Sequence, residues 1–453
     1  MHPLIRLIKQ RGLSGMDLRA DLIAGITTAI LLVPQAMAYA TLAGLPPVVG
    51  LYASTLPLLA YAAIGTSPVM AVGPVALISL MTASALAPFA DASAAELVTM
   101  AGALAVLVGL IQIVLGLMRL DFLTRLLSRP VLTGFTSAAA LLIAFSQLPA
   151  MLGVDQFTFA IGSWHLTTLL IGAGAVAALL AFKKLDRRIP AALIVLVAAT
   201  AAVATLGLDA AGVAVVGSVP AGLPWPSIPL VETSVLIHLL PSAFAIALVG
   251  YLESFAVAKA LARPHPERIN AHSEWKAVGV ANLASAAVGG YPIAGGFSRS
   301  AVNAGAGAKT RIAGALTALI VLATLALLTP LFTNLPRAAL AALVIVAVIG
   351  LIHIKDWKRL ALRGRVPLTV ALITFGATMV LDIEMGLMLG IAAGFVAQRF
   401  FAGTTGNVST STNVATTETT LHPNETSWCV TPHHCSEFSV KSPSFSCWHD
   451  SRK

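Results

Sequence analysis

Arg299 lies in GGFSRSAVNAGAGAKTR, a stretch that follows long apolar sequence and leads into more of it. A guanidinium in such surroundings is costly unless it meets an anion or a carboxylate, so an ionisable residue there marks a functional site. The neighbouring residues supply the rest of an anion cradle. Tyr291 and Pro292 read as a short extended piece, Gly295 and Gly296 as a break free of side-chain bulk, and Phe297 to Asn303 as the first turns of a helix. A helix that begins inside an apolar region directs unpaired N–H groups and the positive end of its dipole into the cavity it faces. Gly296 lets an anion approach the N–H groups of Phe297, Ser298 and Arg299 while the guanidinium binds it bidentately. Glu253, alone in SAFAIALVGYLESFAVAKALA, offers the complementary chemistry of a proton acceptor. Negative charge bound at Arg299 offsets the arginine's pull on that carboxylate and favours proton uptake, which is a coupling mechanism. Gln35 follows Pro34 in an apolar run, where the missing backbone hydrogen bond opens the helix. With Tyr39 one turn on, it is expected to hydrogen-bond the same ligand.

Each residue also has a plainer reading. Arg299 could snorkel to the interface from a helix end. Glu253 could do no more than neutralise Arg299, since buried charges are normally paired. Gln35 could satisfy the kinked backbone, and Ser298 and Ser300 could be ordinary helix-start residues. His238, His353 and Glu232 read as interfacial, and no spacing makes a metal site.

The elements that hold these residues follow from composition. Of 453 residues, 57% are hydrophobic and only 10% are charged, with a mean hydropathy of +0.89. That is the profile of an all-α polytopic membrane protein. Apolar runs near the roughly 20 residues needed to cross a bilayer follow one another almost without linkers, about fourteen in all. The formal charge of +9 does not imply nucleic acid, because the cations fall at alternate connections: Arg119, Arg125 and Arg129; Lys183, Lys184, Arg187 and Arg188; Arg263, Arg268 and Lys276; Lys309 and Arg311; Lys355, Lys358, Arg359, Arg363 and Arg365. The positive-inside rule makes these the cytoplasmic loops, with both termini cytoplasmic in an inner membrane. Connections between them carry acids or nothing, as at Asp155, Asp209 and Asp382 with Glu384, with Arg337 the exception. The amino end lacks a cleavable signal pattern. Cys429, Cys435 and Cys447 all lie after the last span, so the membrane part holds no disulfide. Two Pro-and-Gly breaks, TSPVMAVGP (66–74) and residues 289–298, interrupt apolar sequence ahead of a helix. A pair of broken segments at corresponding places in two halves points to an inverted-repeat transporter with a midplane site. The expected organisation is a cytoplasmic segment 1–20 and a transport domain 21–402, with repeats near 21–207 and 230–402. A polar, disordered tail follows at 403–453.

Two stretches, LLVPQAMAYATLAGLPPVVGLYAS (Leu31 to Ser54) and GGFSRSAVNAGAGAKT (Gly295 to Thr310), closely resemble signatures of the sulfate permease (SulP) family of anion transporters. The resemblance runs from Asp17 to Phe401. It implies about fourteen membrane segments in two inverted seven-helix repeats, with a core domain and a gate domain and two half-helices meeting at the midplane. It places substrate between the starts of the third and tenth segments, assigning Val72 and Gly73 on one side and Gly296, Phe297, Ser298, Arg299 and Ser300 on the other. The family's sodium-bicarbonate members lack the arginine, which tilts this chain toward sulfate-like anions or dicarboxylates. In plant-like members a glutamate at the position of Glu253 is the proposed proton site. Sodium-coupled members carry an aspartate there with a threonine one turn on, where this chain has Val257. The family's cytoplasmic STAS domain has no counterpart in the short polar tail, which leaves a homodimer open.

The resulting expectation is proton-coupled secondary transport of a small anion by alternating access, with no cofactor. The partners are the anion, protons and the bilayer. An anion exchanger for chloride and bicarbonate is the alternative, with a passive channel behind it. An enzyme is not expected, because the spans supply no nucleophile with a base and no metal-ligand set.

Overall fold

The computed structural model describes residues 15–118, 128–154, 164–185, 190–217, 222, 226, 228–262, 269–350, 352, 354–381 and 383–401. The expectations for the extreme amino end, for Arg119, Arg125, Arg187, Arg188, Arg263, Arg268, Asp155, Asp382 and His353, and for the 403–453 tail lie outside those residues, as do those for the side chains of Lys183 and Glu384.

A chain surrounded by lipid must satisfy its own backbone groups, and helices do so within one segment. The described residues are accordingly helical apart from loops and one two-stranded piece. The first half comprises α1 (Gly15–Leu42), α2 (Pro47–Tyr52), α3 (Leu56–Ile64), β1 (Val72–Gly73), α4 (Ala76–Leu86), α5 (Ala94–Leu117), α6 (Arg129–Ser146), α7 (Leu148–Leu152), α8 (Leu166–Leu185) and α9 (Ala191–Leu206). The second comprises α10 (Thr233–Leu261), α11 (Ala271–Ala287), β2 (Ala294–Gly295), α12 (Phe297–Gly305), α13 (Ile312–Leu327), α14 (Arg337–Ile349), α15 (Ile354–Arg363), α16 (Arg365–Val380) and α17 (Ile383–Phe401). The protein is thus a polytopic helical membrane protein. Among the described residues, six stretches are long and apolar enough to cross a bilayer, and shorter apolar helices of 10–17 residues stand beside them. Length alone finds fewer spans than the sequence has apolar runs, because some runs are divided: α4 and α12 begin in the buried interior, after an extended piece, rather than at a surface.

The helices sort into two groups. In one, α5 packs on α10 and α11, α13 on α1 and α3, and α12 on α1 and α10. In the other, α16 packs on α6 and α17, and α14 on α6, α7 and α8. The groups meet where α14 and α9 cross α1, where α4 approaches α6 and α17, and where α10 approaches α17. Small residues set the approach distances, as expected where helix association rests on close packing. A Cβ added at Gly50 would lie 1.9 Å from the Ala36 carbonyl oxygen, locking α2 against α1 two residues beyond Pro34. The same added atom at Gly109 would meet the Gly279 carbonyl at 2.7 Å, and at Gly134 the Ala371 carbonyl at 2.2 Å.

Candidate functional site

The two breaks read from the sequence pair with each other. Val72 faces Gly295 and Gly73 faces Ala294 in an antiparallel ladder, and Gly296 N–H donates to the Ala71 carbonyl at 3.2 Å. Antiparallel contact is what two copies of one motif in opposite orientation produce. Immediately past the ladder α4 and α12 begin, and no side chain caps either start. Their first N–H groups therefore remain for a ligand.

Side chains from other helices hold this arrangement. Asn282 of α11 reaches across with its amide: Oδ1 accepts from Ile293 N–H at 2.8 Å, and Nδ2 donates to the Ile293 carbonyl and to Gln112 Oε1. Gln112 of α5 in turn donates to the Ala247 carbonyl at 3.1 Å. Ser254 Oγ accepts from Gly295 N–H at 2.7 Å, Ser285 Oγ donates to the Tyr291 carbonyl at 2.7 Å, and the Tyr291 and Ser79 hydroxyls lie 2.9 Å apart. On the first break, Ser300 Oγ accepts from Ala71 N–H at 2.9 Å, and Asn303 Nδ2 donates to the Val69 carbonyl at 2.9 Å. Below them the buried Glu274 accepts from the Tyr61 hydroxyl and from Thr66 N–H and Oγ1, fixing the loop that leads into β1.

Arg299 is 1% exposed, which excludes snorkelling. Its Nη1 donates to the Pro74 carbonyl across the ladder at 2.5 Å, whereas Nε and Nη2 have no hydrogen-bond partner among the described residues. The guanidinium folds back over Gly296, where an added Cβ would lie 2.7 Å from Nη2 and 3.0 Å from Nε. On the facing side a Cβ at Gly73, whose φ is 150°, would stand 3.4 Å from Nη2 and 3.6 Å from Ser54 Oγ. The two glycines therefore clear the space that the free nitrogens face.

Glu253, on α10, is half-buried. Its Oε2 is shielded and without a partner, and no ion pair joins it to Arg299 among the described residues. Tyr39 and Gln35 project from one face of α1, one turn apart; Tyr39 lies within electrostatic reach of both Arg299 and Glu253, and Gln35 Oε1 is buried without a partner among the described residues. Val72 is buried in the ladder, while Phe297 and Ser298 are exposed at the start of α12. The structure thus brings Tyr39, Gly73, Glu253 and Gly296 within contact or electrostatic reach of Arg299, with Gln35 one turn from Tyr39 on α1. Ser300 is turned away from the ligand side into its bond with Ala71. Glu232 and His238 sit apart: Glu232 precedes α10 and is exposed, and His238 packs edge-on against Phe89. Sequence reasoning missed Gln112, Asn282, Glu274 and Asn303. For Gln112 and Asn282 the signal was present in the isolation of a polar residue within apolar sequence, which announces a buried partner.

An arginine with two free nitrogens, two uncapped helix starts and an unpaired carboxylate can bind an anion and exchange a proton. Comparison with known proteins bears on the family and the fold. The profile of the Sulfate permease family matches residues 18–374. A probable sulfate transporter of Mycobacterium tuberculosis is 37% identical over 386 residues, 83% of this chain and 69% of that protein. A chloroplastic sulfate transporter of Arabidopsis thaliana is 38% identical over 395 residues, covering 82% of this chain and 57% of its own. Among solved structures, the murine Slc26a9 anion transporter in its inward-facing state superposes with a TM-score of 0.81 at 26% identity, over 88% of this chain and 71% of that one. The transmembrane domain of the cyanobacterial bicarbonate transporter BicA shares the fold, with a TM-score of 0.72 at 22% identity over 84% and 98% of the two chains. The chain therefore belongs to the sulfate permease family of membrane anion transporters.

Proposed function

We propose that the protein carries a sulfate-like anion or a dicarboxylate across the inner membrane by alternating access, together with protons taken up at Glu253. The observation that carries the reading is the pair of free nitrogens, Nε and Nη2, on a buried Arg299. A buried guanidinium left half-satisfied is costly, and an oxyanion bound bidentately relieves that cost. The sulfate transporters among the relatives support a tetrahedral dianion. Glu253 is the proton site in this reading because it is a shielded carboxylate near the cradle without an ion-pair partner among the described residues. In this reading the group containing α1, α10 and α12 carries the site past the group containing α6, α14 and α16. The cation-rich connections face the cytoplasm with both termini. The transport domain spans 21–402 as two inverted repeats, near 21–207 and 230–402.

The test is Glu253→Gln in proteoliposomes at matched incorporation. The neutral amide mimics the protonated carboxyl, so sulfate counterflow persists while uptake driven by an acid-outside gradient vanishes. Gradient-driven uptake that survives with its pH dependence unchanged removes Glu253 from the coupling step and favours exchange. Loss of both modes with a lowered Tm assigns it a structural role instead.

A further inference from the structure

Away from the anion cradle, a cavity of about 290 Å³ opens between α6 and α15. One face of α6 (Arg129, Leu132, Thr133, Thr136, Ser137) and one face of α15 (Asp356, Arg359, Leu360, Arg363) form its walls. Three arginines thus line the cavity beside a single carboxylate. Asp356 Oδ1 accepts from Arg359 Nη1 at 3.2 Å, and Arg129 and Arg363 have no carboxylate partner among the described residues. The hydroxyls of Thr133 and Thr136 donate to the carbonyls of Arg129 and Leu132, so the guanidiniums are the charged donors the cavity offers. Its shape is fixed by Trp357, whose Nε1 donates to Ser137 Oγ at 2.9 Å while its ring meets Phe375 edge-on. An excess of guanidinium around a preformed concavity recognises phosphate.

The remainder of α15 indicates what carries that phosphate. The helix mixes cations with apolar residues, and two of the latter, Ile354 and Leu362, are 65% and 88% exposed. α14 ends at Ile349 with Gly350 as its C-cap, and Gly364, at φ 123°, breaks the chain before α16, so α15 is a helix of its own with a strongly amphipathic sequence. Such a helix lies in the membrane interface with its apolar tips among acyl chains. Basic pockets between membrane helices at that depth take anionic headgroups.

We propose that the cavity between α6 and α15 binds the phosphodiester of an anionic glycerophospholipid, held by Arg129, Arg359 and Arg363. This site is independent of the transport reading and involves none of the residues of the anion cradle. The test is native mass spectrometry of the full chain in detergent, titrated with phosphatidylglycerol. Wild type retains one lipid in preference to the rest. Arg359→Gln combined with Arg363→Gln weakens that binding by roughly tenfold or more, while Lys184→Gln with Lys309→Gln, which removes the same charge elsewhere, leaves it within about twofold. Phosphatidylcholine does not compete. Equal retention by the Arg359/Arg363 double variant and wild type, or competition by phosphatidylcholine, overturns the proposal. Inorganic phosphate that occupies the site and is not displaced by phosphatidylglycerol overturns the lipid assignment.

Discussion

Gly296→Ala is the most discriminating substitution at the cradle, because it disturbs the guanidinium without removing it. Gly296 has φ −87° and ψ 119°, an extended conformation that alanine adopts without strain. Its N–H bond to Ala71 survives the change. The new methyl carbon would lie 2.7, 2.8 and 3.0 Å from Nη2, Cζ and Nε of Arg299. Ordinary carbon contacts need roughly 3.5–4.0 Å, so the guanidinium must retreat by about an ångström. The retreat strains its bond to the Pro74 carbonyl and withdraws the two nitrogens available to an anion. Losing one charge-assisted hydrogen bond costs about 1.5–3 kcal/mol, a ten- to hundredfold loss of affinity. Stability should scarcely change, because the displaced atoms are the end of a flexible side chain and alanine restricts the unfolded chain by about 0.4–1 kcal/mol. Calorimetric titration of the purified protein with sulfate, beside a melting curve, checks both halves. Sulfate affinity within twofold of wild type at an unchanged Tm would refute the idea that Nε and Nη2 hold the anion.

Arg299→Ala should remove the charge altogether and weaken sulfate binding by at least the same ten- to hundredfold, with near-normal expression and insertion; wild-type affinity in the purified variant would sink the site assignment. Asn282→Ala should act on the fold instead. It orphans the buried N–H and carbonyl of Ile293 and the buried Gln112 amide oxygen, costing about 2–4 kcal/mol, read as a Tm several degrees lower; an unchanged Tm would mean that the amide is dispensable. Truncation after Gly403 should leave transport per folded molecule unchanged, since a Ser- and Thr-rich segment without an apolar face adds nothing to the core; a folded truncation with most of its uptake lost would make the tail a functional module.

Much of the cradle was legible in the sequence because its ingredients are improbable in a membrane: an arginine, a glycine pair and prolines inside apolar runs cost free energy that a purpose must offset. The two breaks could be recognised as partners by their resemblance in position and composition. The register that joins them could not, since Val72 opposite Gly295 rather than a neighbour is decided by Ser300 and Asn303 reaching back to Ala71 and Val69 over more than two hundred residues. Likewise Gln112 advertises a need for a partner but not that the partner is Asn282, 170 residues on. Nor could the sequence distinguish Glu253 as a mate for Arg299 from Glu253 as a free carboxylate, because that depends on a separation set by how α10 crosses α12. Glu274 was overlooked because it stands beside a basic connection and reads as part of it.

The ladder between β1 and β2 also bears on how the carrier compares its two faces. The cradle is stitched into one body by Ser300, Ser254 and Asn282, so its lining travels as a unit and offers an arriving anion the same groups from either compartment. On the proposed carrier reading, any inequality between filling and emptying must then come from the membrane voltage acting on charge in transit or from the supply of protons to Glu253. Stripped of both gradients, such a machine has no preferred direction.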